Sequence, residues 1–456
     1  MARQSDLRFS FCVSDRLEFD VVRFELVEGL SEPFRLELDL SRDDPLAPFG
    51  TASTGESDGA EGRFALDSLL DRSAVFAIER AGEAARTLRG IVTAIELCEA
   101  GFRKTRYRAL VEPEVVRLGL WHGSRIHQQV SVPQIINARL KERGLHARFA
   151  ASRDHLVREY AVQHRETDLA FLSRLGSEEG FVYYFDAAAQ SQLTFTDFIP
   201  AGPSLPGHGD IGAVTYQPTP GGDCLEPRLW HFGVRQQLSV AQVTQRDHTF
   251  KNPGYSLEHR SVAGNPLGQY EHYDFPGRYK VDAAGKPFTA TSLQSLRNKA
   301  IVANLSGDDA RLWPGLSFLL AAHPTPEMNR DWRIVSMRHS GTQAVSQEAD
   351  GSTADQGTHY SYSATAVPGD LDWKPLAPPR PVMDGPQVAQ VVGPPNEPIH
   401  VDEHGRVMVW FPWDREGPRE NSSCWIRVSQ GWAGAAYGAL FTPRVGHNVL
   451  VSFVDG

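Results

Sequence analysis

Ile399-His-Val-Asp-Glu-His-Gly-Arg-Val-Met-Val-Trp-Phe-Pro-Trp-Asp414 decides how the C-terminal part of this sequence is read. His400, Glu403 and His404 satisfy the H-x-x-E-H pattern of inverted zinc proteases, a chemistry that needs both imidazoles on one helix face so that they converge on one metal. Pro398 precedes the run, Gly405 follows it, and strand signals flank it on both sides. The spacing therefore predicts a hairpin turn over 402–405 and no metal centre. Around that turn, 387–393, 405–411, 424–430 and 448–454 are short, β-branched or aromatic, and separated by turn residues, which predicts a small closed or partly open barrel over 387–456.

Working outward, 368–386 holds six prolines, at 368, 375, 378, 379, 381 and 386. Such a segment propagates neither a helix nor a central strand and reads as an interdomain linker. Upstream, 18–28 and 35–40 carry strand patterns, the second alternating strictly through Leu36, Leu38 and Leu40. Residues 50–62 read as an exposed loop, and 74–79, 87–97 and 105–111 as further strands. Over 131–144 the period becomes helical: Val132, Ile135, Ile136 and Leu140 share a face, Ser131 is placed to cap, and Gly144 to stop the helix. A second helix is expected over 167–179, followed by an aromatic strand at 181–185, and a third over 291–305. Residues 229–243, 316–321 and 332–337 read as strands, and 339–360 as a polar insertion.

The 456 residues suffice for about three domains. With 46 Lys and Arg against 56 Asp and Glu, the formal charge is −10. The C-terminal barrel has five basic and seven acidic residues. A phosphate-binding groove needs the opposite balance, so no nucleic-acid partner is expected. Cys12, Cys98, Cys224 and Cys424 are scattered singly and indicate neither a disulfide framework nor a Cys-based zinc site. No signal-peptide pattern opens the chain, so it is expected to fold in a reducing cytosol and to leave, if it leaves, without a signal peptide.

Three other motifs resemble chemistry and are read as structure. Gly207 to Gly212 spells G-x-G-x-x-G, but prolines precede it and a strand follows, so it is a loop without a cofactor. Cys424 enters an alternating strand, where a small Cys is ordinary packing. Glu178 and Glu179 read as the solvated end of a helix. No catalytic residue, metal ligand or cofactor site is assigned.

The run 399–414, then Asn421-Ser-Ser-Cys-Trp-Ile-Arg-Val-Ser-Gln430, Trp432-Ala-Gly434 and Pro443-Arg-Val-Gly446, resembles the barrel domain of the VgrG family, the spike proteins of bacterial type VI secretion. Residues 160–185, Arg246-Asp247 through Pro253, Tyr273-Asp-Phe-Pro-Gly-Arg-Tyr279 and Trp313-Pro-Gly315 resemble the family's hub, so the likeness spans nearly the whole chain. It implies a mainly β, α+β fold. A phage-hub-like region over 1–367 would comprise two barrel-like subdomains with helical insertions, followed by the linker 368–386 and an OB-fold barrel over 387–456.

The resemblance also implies a structural role without enzymatic activity: a homotrimer that caps the Hcp tube and is driven through a target membrane to deliver effectors. The protein would be cytoplasmic before firing and extracellular or injected afterwards. In the family a β-helix needle, with a PAAR tip protein and effectors, follows the barrel. The stop at Gly456 is thus expected to precede the needle, leaving this chain monomeric or weakly trimeric. Trp410, Trp413, Trp425 and Trp432 are the candidate interface residues. A contractile phage or tailocin hub is the nearest alternative. An OB-fold binding module and a metalloenzyme using His400, Glu403 and His404 are the others.

Overall fold

A computed structural model of the chain describes residues 7–43, 65–100, 104–207, 211–219, 227–264, 266–343, 357–415, 422–434 and 437–454. The expected loop at 50–62 and residues 208–210 lie outside them. The described chain is mainly β and divides into two units. One comprises residues 1–116, 147–152 and 180–376; the other comprises 117–146, 153–179 and 377–456.

The first unit is built on six strands, β1 (Leu7–Val13), β2 (Leu17–Gly29), β3 (Glu32–Asp43), β4 (Ser73–Arg80), β5 (Glu83–Ala100) and β6 (Lys104–Glu112). Antiparallel pairing runs β1-β4-β5-β6-β3-β2, and β2 pairs back onto β1 through Ser10 opposite Asp20, so the six strands close into a barrel. Alternation selects the interior: in β3, Phe34, Leu36, Leu38 and Leu40 are buried between more exposed neighbours. Phe9 meets Phe24 edge-on at 4.9 Å between ring centroids, and Phe24 lies 4.7 Å from Phe76. A Cβ at Gly341 would sit 2.3 Å from the Phe24 ring and 2.8 Å from Phe9, so only glycine fits there.

The C-terminal half of β2, still paired with β3, has Asp331–Thr342 in place of β1 on its other side, extending the sheet through His359–Pro368 and Ile301–Gly307 to Leu229–Gln236. Where these strands meet, a buried polar network crosses them. Glu28 accepts from Arg86 at 2.6 Å and pairs with His339 Nε2 at 2.8 Å, while His339 Nδ1 lies 2.8 Å from the Tyr360 hydroxyl. Burial opposes ionisation of Glu28, but the Arg86 charge and the His339 hydrogen bond hold its carboxyl below the usual range. Burial pushes the His339 imidazole down, towards its neutral form.

Three sequence expectations are corrected in this unit. The third helix is Asp282–Leu296, and the second half of the expected 291–305 helix is instead the strand Ile301–Gly307. The helix carries Pro287 and also Gly285, which packs against Tyr279 and His259 where a side chain would clash. The expected strand 229–243 is two strands, Leu229–Gln236 and Gln242–Asp247. The polar insertion does not begin at His339: the strand runs to Thr342, His339 and Tyr360 are buried, and 344–356 lie outside the described residues.

In the second unit, His122–Ser131 pairs antiparallel with Val157–Thr167, and each strand leads directly into a helix, Val132–Glu142 and Asp168–Glu179. Ser131 caps the first in a reciprocal box with Gln134, and Gly144 follows at φ +72°. Thr167 Oγ1 accepts from the Ala170 amide at the start of the second. Asp168, in that first turn, takes Arg139 at 2.7 Å and Arg143 at 3.2 Å, tying the two helices together.

Glu178 and Glu179 are not solvated. Arg158 reaches Glu178 at 2.7 Å and Glu179 at 2.8 Å, and His155 lies 2.9 Å from Glu179. Burial disfavours the Glu178 charge, but Arg380, Arg158 and Arg174 outweigh it and hold the carboxyl low. Strand Val157–Thr167 supplies Arg158 from across the unit, which local sequence does not reveal.

Candidate interaction surface

The C-terminal part of the second unit is a small sheet in the order Met408–Trp410, Gln387–Val392, Asn448–Val451. Ala389, Val391, Val407, Val409, Phe411 and Val451 form its core, with Ile126 of the strand His122–Ser131 packed against them. Val407 bridges to Ile426, but the expected strand 424–430 contributes only that bridge. Ser423 explains the interruption: its hydroxyl accepts from the Val409 amide at 2.9 Å and donates to the Cys424 carbonyl, giving a side chain the place of a ladder partner. Cys424 is half-buried beside it.

The H-x-x-E-H stretch is a turn. Asp402 Oδ1 accepts from the amides of His404 at 3.0 Å and Arg406 at 2.9 Å, its Oδ2 takes the Arg406 guanidinium at 2.6 Å, and Gly405 adopts φ +67°. Burial works against the Asp402 charge, yet Arg406 and these amides hold its carboxyl below the usual range. His400 turns to Glu397 at 3.3 Å and towards the Trp425 ring, while His404 lies beside Glu403 at 3.3 Å. The two imidazoles thus have different partners. Among the described residues no group of three or more His, Cys, Asp or Glu is arranged to hold a metal.

The four tryptophans occupy different environments. Trp410 is half-buried and donates its indole N–H to the Asp414 carbonyl at 3.2 Å. Trp413 donates to Gln387 at 2.8 Å, stacks on Phe411 and meets His164 edge-on. Trp425 is half-buried against His400. Trp432 is 68% exposed, on the strand Trp432–Gly434, which pairs with Tyr437–Ala439.

Other exposed apolar residues accompany it. Val388 and Leu450 stand directly opposite each other across the antiparallel pair, 55% and 70% exposed, and Tyr437, Leu440 and Phe441 are also open to solvent. The sequence reading named none of these five positions. Their signal was a strand apolar in both alternating series, Val449 and Val451 inward and Leu450 outward. Val388 and Leu450 are thus open on the three-stranded sheet and Trp432 and Tyr437 on a separate two-stranded one, and each apolar group left in water forfeits burial on the order of 25 cal/mol per Å².

The chain belongs to the phage tail baseplate hub (GPD) family, whose profile matches residues 27–345, and residues 396–456 match the type VI secretion system/phage-baseplate injector OB domain. It is homologous to the VgrG spike proteins. It is 43% identical over 462 residues to each of two Pseudomonas aeruginosa proteins, the type VI secretion system spike proteins VgrG2b and VgrG2a, covering all of this chain and 43% and 52% of those proteins. The chain thus spans about half the length of these relatives. Its fold matches an E. coli component of the type VI secretion system described as similar to the T4 bacteriophage tail proteins gp27 and gp5, with TM-score 0.66, 21% identity and coverage of 98% of this chain and 96% of that one.

Proposed function

We propose that this chain is the hub and OB barrel of a type VI secretion spike. It acts as a structural part and not as an enzyme: three copies seat on the Hcp tube, and the assembly is driven through a target membrane carrying effectors. The domain assignment proposed is hub over 1–367, linker over 368–386 and OB barrel over 387–456, supported by the separate profile matches at 27–345 and 396–456. A PAAR tip and effectors would engage sequence that relatives carry beyond the region matched here. No helix among the described residues is long and apolar enough to cross a membrane, which accords with a protein held in the cytoplasm until it is fired outward.

The observation that carries this reading is the exposed apolar surface of the C-terminal barrel, Val388, Trp432, Leu440, Phe441 and Leu450, on a chain homologous to spike proteins. We assign it to contacts between copies, with Trp432 the foremost of the four tryptophans; Trp410, Trp413 and Trp425 would act there by supporting the barrel. The test is mass in solution by light scattering for this chain and for one extended through its native downstream sequence, each with and without Leu450→Ser and Phe441→Ser. A trimer in the extended chain, weakened by both substitutions, supports the reading. Monomers throughout, or failure of the extended chain to bind Hcp, would sink it. A contractile-tail hub shares this architecture, and binding to a phage tube protein in place of Hcp would select it.

A further inference from the structure

Segment 377–386 contains no helix or strand, and Val382 is 62% exposed. Prolines at 378, 379, 381 and 386 keep it extended and stiff, so fixing it in place costs little chain entropy. One of its side chains reaches the body of the second unit: Arg380 Nε lies 2.9 Å from Oε1 of Glu178, in the last turn of the helix Asp168–Glu179. Arg380 is the leading charge that offsets the burial of Glu178, and two further guanidiniums share that task. Arg158 Nη1 stands 2.7 Å and Arg174 Nη1 3.6 Å from the same carboxylate.

Loss of one partner of a buried ion pair is costly when it strands the other charge. Here it strands neither. Glu178 keeps two guanidiniums, and the Arg380 side chain, already 37% exposed, returns readily to water. A contact of this kind can open while the unit beneath it stays folded, unlike Arg158, whose removal would deprive both Glu178 and Glu179 of their shared partner.

We infer that Arg380 and Glu178 form a reversible latch that holds the proline-rich strap 377–386 against the second unit and opens without unfolding it. This does not depend on the chain serving as a spike. It gives the strap two states, pinned and swinging.

The test is limited proteolysis of the full chain by proteinase K at low salt, with cut sites mapped by mass, for the wild type, Arg380→Met, Glu178→Gln, the double variant and Arg158→Met, alongside thermal melting. Cleavage within 377–386 is expected to rise roughly two- to fivefold in Arg380→Met, the range for a partly exposed pair, with an unchanged melting midpoint. Glu178→Gln should match that rise and the double variant add nothing to it. Salt at 1 M should bring the wild type to the variant rate. Cleavage of Arg380→Met at the wild-type rate would overturn the latch. So would a melting midpoint lowered as far as in Arg158→Met, since Arg380 would then be a structural keystone.

Discussion

In the β1–β6 barrel, Phe9, Phe24 and Phe76 point inward and meet ring against ring, whereas in the C-terminal sheet Val388 and Leu450 face outward as a cross-strand pair. Six closed strands enclose a volume that aromatic side chains fill, and Glu28 and Arg86 are brought together in one buried network with His339 and Tyr360. The three-stranded sheet can bury one face, does so with small aliphatics and Phe411, and leaves apolar groups on the other. The first region is complete within its own chain. The second leaves apolar side chains in water.

The hardest test of that self-sufficiency is Glu28→Ala. It leaves Arg86, with 4% of its side chain exposed, without its carboxylate and should cost about 3–5 kcal/mol in denaturant unfolding. A cost under about 1 kcal/mol would show that the Leu312 carbonyl, which also accepts from Arg86, suffices.

The same network predicts the pH response. Glu28 and His339 both have lowered folded-state pKa values, Glu28 because Arg86 and His339 outweigh its burial, and His339 because burial disfavours the imidazolium. A group of either type stabilises the fold above its unfolded pKa and loses that contribution as pH falls towards the folded one. Stability should therefore decline first as pH drops through the ordinary histidine range near 6.5, and again below the ordinary glutamate value near 4.5. His339→Gln, which can still bridge Glu28 and Tyr360, should flatten the first decline and leave the second. Identical profiles for variant and wild type would place the acid sensitivity elsewhere.

On the other side of the comparison, Leu450→Ser and Phe441→Ser should change monomer unfolding by no more than about 0.5 kcal/mol, as surface substitutions do. Each should weaken association of the extended chain by about 1–2 kcal/mol if the residue anchors the interface. A large loss of monomer stability would mean these side chains serve their own barrel and the contrast between the two regions is false.

Which features were legible in the sequence follows from how local their causes are. The alternation of Leu36, Leu38 and Leu40 and the Ser131 to Gly144 helix signals act within a few residues, and the structure has strands and a helix there. The helix Asp282–Leu296 was misplaced because its start contains Gly285 and Pro287, which local propensity excludes, while Leu293, Leu296, Ala300 and Ile301 mimic a helical face across a helix end and a strand start. The Glu28 network joins residues up to 311 positions apart, and the pairing of β1 with β4 that completes the barrel is also between strands distant in sequence. Of the exposed apolar positions in this part of the chain, the tryptophans picked out in the sequence include Trp432 and not Val388, Leu440, Phe441 or Leu450. Exposure depends on which face of a strand the rest of the fold covers, and residues 448–451 are apolar on both.

The smallest expected effects separate a turn from a metal centre at 400–405. If the turn reading is right, Asp402 matters most, since it accepts from two amides and the Arg406 guanidinium, and Asp402→Ala should cost about 1–2 kcal/mol. His404, one-third exposed and lying beside the exposed Glu403, should be replaceable by Ala within about 0.5 kcal/mol. A metal centre reverses that order: His400 and His404 would be the costly positions, and chelator would lower the melting midpoint of the wild type but not of His404→Ala. Because Asp402 is not one of the three residues in the H-x-x-E-H pattern, its ranking above His404 distinguishes the two readings even if neither variant loses much stability.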